Sequence, residues 1–192
     1  MKKILLSLII VFIAVLNSFA QDNSTPKIGV GVDLGVPVGP ASNGYELTMG
    51  VTAKAEFPVA PQLSITATTG FTGYITKGGF STGYYYDSYD GSGSYSYGDV
   101  ACFVPLEAGA RIYVAPKFYL EGDFGASFNV NSTSSDFTNR QTALIYAPMA
   151  GMTIPFGGSR VSLDLSLRYE SRLDAGYNYS QIAARAVFNF KL

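Results

Sequence analysis

Along most of this chain the apolar residues return at every second position. Between Arg160 and Ser171, Val161, Leu163, Leu165, Leu167 and Tyr169 share one phase, while Ser162, Asp164, Ser166, Arg168 and Glu170 share the other. Phe118 to Val130 repeats the design, with Leu120, Phe124, Ala126 and Phe128 set against Glu121, Asp123, Ser127 and Asn129. A period of two is the mark of a β-strand with one apolar and one polar face. No stretch after residue 20 carries a helical period. The same reading predicts eight strands, near 27–38, 45–58, 63–75, 100–114, 118–130, 143–155, 160–171 and 180–192. Most are about twelve residues long, whereas a tilted strand crossing a bilayer needs about 9–11. Pro105 and Pro148 fall inside predicted strands, so a bulge or strand end is expected at each, because proline lacks the N–H of a ladder.

The connections alternate as well. After the second, fourth and sixth strands come VAPQ, APK and FGGS, all tight. After the first, third, fifth and seventh come GPASNG, a long tyrosine-rich stretch, NSTSSDFTNRQ and LDAGYNY. Short turns at one end and mostly longer loops at the other fit a membrane barrel with both termini on the short-turn side.

Alternation does not say which face is inside. A soluble lipocalin-like carrier would turn the apolar face inward. The charged phase here holds Asp33, Glu46, Lys54, Glu56, Glu107, Arg111, Glu121, Asp123, Asp164, Arg168, Glu170, Arg185 and Lys191. Between these charges stand Gly29, Gly31, Gly35, Gly50, Gly70, Gly109 and Gly125. A solvated surface has no use for so much glycine and would carry more lysine and glutamate. A narrow lumen must fit large charged side chains beside very small ones. The apolar phase then meets lipid, with Phe57, Phe71, Phe118, Phe156, Phe188 and Phe190 as candidates for aromatic girdles. The expected fold is all-β, an eight-stranded antiparallel up-and-down transmembrane β-barrel.

The N-terminus reads as a targeting segment. Lys2 and Lys3 precede an apolar run from Ile4 to Leu16 and then Ser18-Phe19-Ala20, which together predict a signal peptide over 1–20 cleaved after Ala20. The barrel domain is expected over 21–192. Removing the leader takes two of the 13 basic residues and leaves 11 against 14 acidic, a formal charge of −3. No basic patch points to nucleic acid. Cys102 is the single cysteine, read as a small buried hydrophobe rather than as part of a disulfide framework.

The chain contains no histidine. That removes Ser-His-Asp and Cys-His nucleophilic systems and imidazole zinc sites. No catalytic residue, metal site or cofactor is assigned, and the protein is not expected to be an enzyme.

The leader, the opening strand KIGVGVDLGVPVG, the strand count and the closing RAVFNFKL resemble the small outer-membrane β-barrel proteins of the OmpX and OmpA transmembrane type, a porin-like family. The final strand puts Ala186, Phe188, Phe190 and Leu192 on one face, similar to the family's terminal signal, which commonly ends in phenylalanine. The resemblance implies insertion into the outer membrane of a Gram-negative bacterium by the barrel assembly machinery. Outer-membrane lipid is its implied surrounding and a monomer its implied state.

Two places invite function. The lumen charge network of Asp33, Lys54, Glu56, Glu107, Arg111, Glu121, Asp123, Asp164, Arg168 and Arg185 reads as a salt-bridge plug or, alternatively, as the wall of a narrow channel or small-ligand transfer path. A symmetric APK turn puts Arg111 across from Glu121. Asp164, Arg168 and Arg185 form a second candidate cluster. The other place is Ser81 to Asp99, where Tyr84, Tyr85, Tyr86, Tyr89, Tyr95 and Tyr97 stand among serines and glycines, as in antibody-combining loops. It is either a surface for an extracellular glycan or protein, giving an adhesion-like role, or a protruding hairpin turning at Asp90-Gly91-Ser92-Gly93.

Overall fold

The computed structural model describes residues 25–78, 83–86, 93–96, 100–130, 142–156, 160–173 and 178–192, with 83–86 and 93–96 described by backbone alone. The expected signal peptide lies outside these residues. Eight strands close into one antiparallel barrel: β1 (Lys27–Val38), β2 (Tyr45–Ala60), β3 (Leu63–Thr76), β6 (Val100–Tyr113), β7 (Phe118–Asn129), β8 (Thr142–Pro155), β9 (Val161–Leu173) and β10 (Asn178–Lys191). Consecutive strands pair, and β10 returns to β1 with Lys27 opposite Lys191 and Val38 opposite Ser180. Closure leaves no sheet edge, which is the condition for a sheet to stand in lipid. Two short strands, β4 (Gly83–Tyr86) and β5 (Gly93–Ser96), form a separate antiparallel hairpin between β3 and β6.

The expected proline defects are absent. Opposite Pro105 the β3–β6 ladder skips Gly70 and Phe71, yet Thr69↔Leu106 and Thr72↔Phe103 keep one register. Opposite Pro148 the β8–β9 ladder resumes at Met149↔Arg168 in the register it had at Tyr146↔Ser171. Toward β7 both prolines are paired. In an antiparallel ladder a residue directs its N–H to one neighbour only, so a missing N–H interrupts one side without shifting the strand. At Pro105 the Thr69 hydroxyl donates to the orphaned carbonyl at 2.8 Å. The true irregularities lie in β2, between Tyr45 and Leu47 and between Pro58 and Ala60.

The faces sort as membrane burial demands. Val30, Val51, Leu106, Phe124 and Leu167 point outward and are about 60% exposed, while charged and hydroxyl side chains are buried within. This polarity excludes the soluble carrier with an apolar interior. All six candidate girdle phenylalanines face outward. Phe57, Phe118, Phe156, Phe188 and Phe190 lie toward the short-turn end, whereas Phe71 sits midway along β3 opposite Val51. At the other end the outward rings of Tyr146 and Tyr169 meet in a tilted contact with centroids 6.2 Å apart. Cys102 is half-buried on the outer face, not enclosed as expected.

Candidate functional site

Alternation drives every second side chain into an interior that eight strands leave just wide enough for side chains to fill. The ten predicted lumen charges all lie there, each at most 8% exposed. Two other residues expected in that phase do not. Glu46 is the extra residue of the β2 bulge, which flips it outward and leaves Tyr45 facing in. Lys191 ends the last strand at the barrel rim and is exposed. Lys27 and Arg172 are buried inside and were missed. Lys27 opens the phase of Gly29, Gly31 and Asp33. Arg172 continues the phase of Arg168 and Glu170 one step past the predicted strand end. The described lumen thus holds seven carboxylates and six bases, not the eight and five that the sequence suggested.

Near the short-turn end, Arg111 is the hub. Its Nε donates to Glu121 Oε2 at 2.7 Å, directly across the β6–β7 ladder. Its Nη1 reaches Asp164 Oδ2 at 2.6 Å and Glu56 Oε2 at 3.0 Å. The guanidinium lies 3.7 Å from the Tyr119 ring centroid, a cation–π contact. Lys54 donates to the second oxygen of Glu121, and Lys27 pairs with Glu56 at 3.5 Å. Tyr113 and Ser64 hydroxyls complete Glu56 Oε1 at 2.8 and 2.9 Å, and Thr153 donates to Asp164 Oδ1 at 2.7 Å. Three bases meet three acids here, and each carboxylate oxygen has a donor.

Toward the long-loop end, Arg168 takes the hub position. It donates to Glu107 Oε2 at 2.5 Å, Asp123 Oδ2 at 2.9 Å and Glu170 Oε2 at 3.0 Å. Thr66 donates to the other Asp123 oxygen at 3.2 Å. Glu170 also accepts from Gln181 at 2.8 Å and pairs with Arg172 at 2.5 Å. Arg172 donates onward to Ser127 and Tyr74 and lies 4.8 Å from the Phe103 ring centroid. Tyr45, Tyr74, Phe103 and Tyr179 then pack together in edge-to-face and tilted contacts beyond the charges, with Ala41 of the short helical turn Gly39–Asn43 buried against them. No sequence pattern singled out these inward aromatics.

Asp164, Arg168 and Arg185 do not gather as expected. Asp164 joins Arg111, and Arg185 forms a bidentate pair with Asp33, directly opposite on β1, at 2.6 and 2.9 Å. Arg185 lies opposite Ser166 and is only diagonal to Asp164 and Arg168 on β9, so each finds a better partner on another wall. Close packing explains the lumen glycines. A Cβ at Gly109 would stand 1.9 Å from Asp123 Oδ1, and one at Gly151 would stand 2.6 Å from the Tyr119 ring.

Tyr84 pairs with Tyr95 in the β4–β5 ladder, and Tyr85 and Tyr86 belong to β4. Gly93, expected in the turn, begins β5, while Tyr89, Tyr97 and 90–92 lie outside the described residues.

Comparison with known proteins agrees on the fold. No family model matches the chain, and no curated protein does. Among solved structures, the outer membrane protein Ail of Yersinia pestis in a phospholipid bilayer nanodisc is 18% identical, with a TM-score of 0.50 over 88% of this chain and 100% of that one. The crystal structure of Ail, the attachment invasion locus protein of the same organism, is 14% identical at the same coverage and TM-score. The chain therefore has the fold of the small eight-stranded outer-membrane barrels. It is a transmembrane β-barrel.

Proposed function

We propose that this protein is a non-enzymatic, integral outer-membrane barrel whose lumen is closed, and that it acts at the surface through its long-loop end. One observation carries the reading: the Arg111 and Arg168 hubs tie walls of the barrel together through buried ion pairs. A lumen filled in this way stiffens the barrel and leaves no evident path for cargo. Function then falls to the outward segments, of which the tyrosine-bearing hairpin is the longest. Tyrosines give flat contact area at small conformational cost, which suits a glycan or protein ligand. The Ail proteins, similar in fold, carry attachment in their name.

Planar-bilayer recording tests the closed lumen. The folded protein should be silent, and discrete salt-dependent steps would replace the plug with a channel. For the surface role, Tyr84, Tyr85, Tyr86, Tyr89, Tyr95 and Tyr97 are changed together to serine. Adhesion to cells or immobilised glycans should disappear while heat-dependent gel mobility stays unchanged. Undiminished adhesion would reject the tyrosines as the contact surface.

A further inference from the structure

The described lumen contains one more carboxylate than base. The surplus has a location. Around Arg111 three acids meet three bases, and Asp33 has Arg185 to itself. Around Arg168 the acids Glu107, Asp123 and Glu170 share only Arg168 and Arg172. Within that group Glu170 is bonded at both oxygens, and so is Asp123. Glu107 is not: Oε2 meets Arg168, while Oε1 is buried without a partner. Directly across the β3–β6 ladder stands Thr68, 2% exposed, whose hydroxyl is also buried and unpartnered. Two orphaned oxygens therefore belong to directly paired residues, with no hydrogen bond between them, at the level of the uncompensated charge. Buried polar atoms without partners are rare in folded proteins and ask for an explanation.

We propose that the Glu107–Thr68 level binds one monovalent cation that the chain does not supply, either a proton on Glu107 Oε1 or a single alkali ion between Oε1 and Thr68 Oγ1. Both sources answer the same two deficits. A proton turns Oε1 from an unsatisfied acceptor into a donor beside a hydroxyl that can accept. An alkali ion is coordinated by the two oxygens and cancels the charge. No cluster of three or more metal-ligating side chains occurs among the described residues, which argues against a divalent ion. The charged groups facing the site are Asp123 from β7 and Arg168 and Glu170 from β9, with Lys54 on β2 engaged by Glu121; the inward face of β3 presents only hydroxyls here. None of them is a free cation that could swing in.

The test uses the folded, full barrel at neutral pH. Infrared difference spectroscopy looks for a protonated-carboxyl band, and thermal midpoints are compared in sodium, potassium and choline chloride at equal ionic strength. A proton predicts a band in the wild type that vanishes in Glu107→Gln and shifts in Thr68→Val. An alkali ion predicts no band, with a midpoint raised by sodium or potassium but not choline, and that dependence lost in Glu107→Gln. Absence of both signatures in the wild type overturns the proposal, as does either one surviving unchanged in Glu107→Gln. Should Glu107→Gln fail to fold, the wild type and Thr68→Val decide: a signature that Thr68→Val shifts or weakens supports the site, and an unaltered one overturns it.

Discussion

Arg111 and Arg168 hold equivalent posts in the two halves of the lumen, and each grips three carboxylates. Their surroundings differ. Arg111 is helped by Lys27 and Lys54 and lies on the face of Tyr119, so its group balances charge for charge. Arg168 has only Arg172 beside it, and Arg172 is drawn toward Ser127, Tyr74 and the aromatic cap. One carboxylate oxygen there is left over. Counting the carboxylates at each hub arginine would rate the two halves alike. Charge balance and satisfied lone pairs separate them, because a buried ion is tolerated only when its partners replace the water it has lost.

The comparison is open to attack by mutation. The largest effect is expected for Arg111→Leu, which strands three carboxylates with two lysines and should cost about 3–5 kcal/mol in denaturant unfolding from lipid vesicles. A loss under 1 kcal/mol would mean that the balanced half is wet. Glu121→Gln should cost about 1.5–3 kcal/mol, since Lys54 and Arg111 both lose a charged acceptor. Gly109→Ala presses a methyl group on Asp123 while Arg168 and Thr66 hold that carboxylate, and should cost about 1–3 kcal/mol. Thr153→Val removes one hydrogen bond to Asp164 and should cost about 1 kcal/mol. The smallest change is expected for Glu107→Gln, whose amide keeps an acceptor for Arg168 while deleting the surplus charge. If Glu107→Gln proved as damaging as Glu121→Gln in the same unfolding assay, the two halves would be alike after all.

Legibility in the sequence followed the strength of the alternation. β7 and β9 carry charge on one phase and bulk on the other, so their faces could be read directly. β8 could not be resolved in that way, because Ile145, Ala147 and Met149 are buried inside while Leu144 and Tyr146 lie outside, and both phases are apolar. Glu46 was misplaced because a bulge reverses the phase within a single residue, and nothing in YELTMG announces it. Arg172 lies outside the expected strand because β9 runs on to Leu173, two residues past Ser171. The prolines misled in the other direction: a missing N–H interrupts the ladder toward one neighbour only, and the pairing on the other side keeps the register.

Taken alone, the order of residues determined the strands, their number, the two kinds of connection and the sorting of charge from bulk, since each depends on side chains a few positions apart. It also placed Arg111 opposite Glu121, because a tight turn sets the register of its own hairpin. Only closure decided the partners that lie on walls remote from one another in the chain. Asp33 meets Arg185 because the last strand returns to the first, and Arg168 meets Glu107 across the lumen from β6. Those contacts join walls far apart in the chain, and their geometry is set by the curvature and stagger of the closed sheet, which no local pattern encodes.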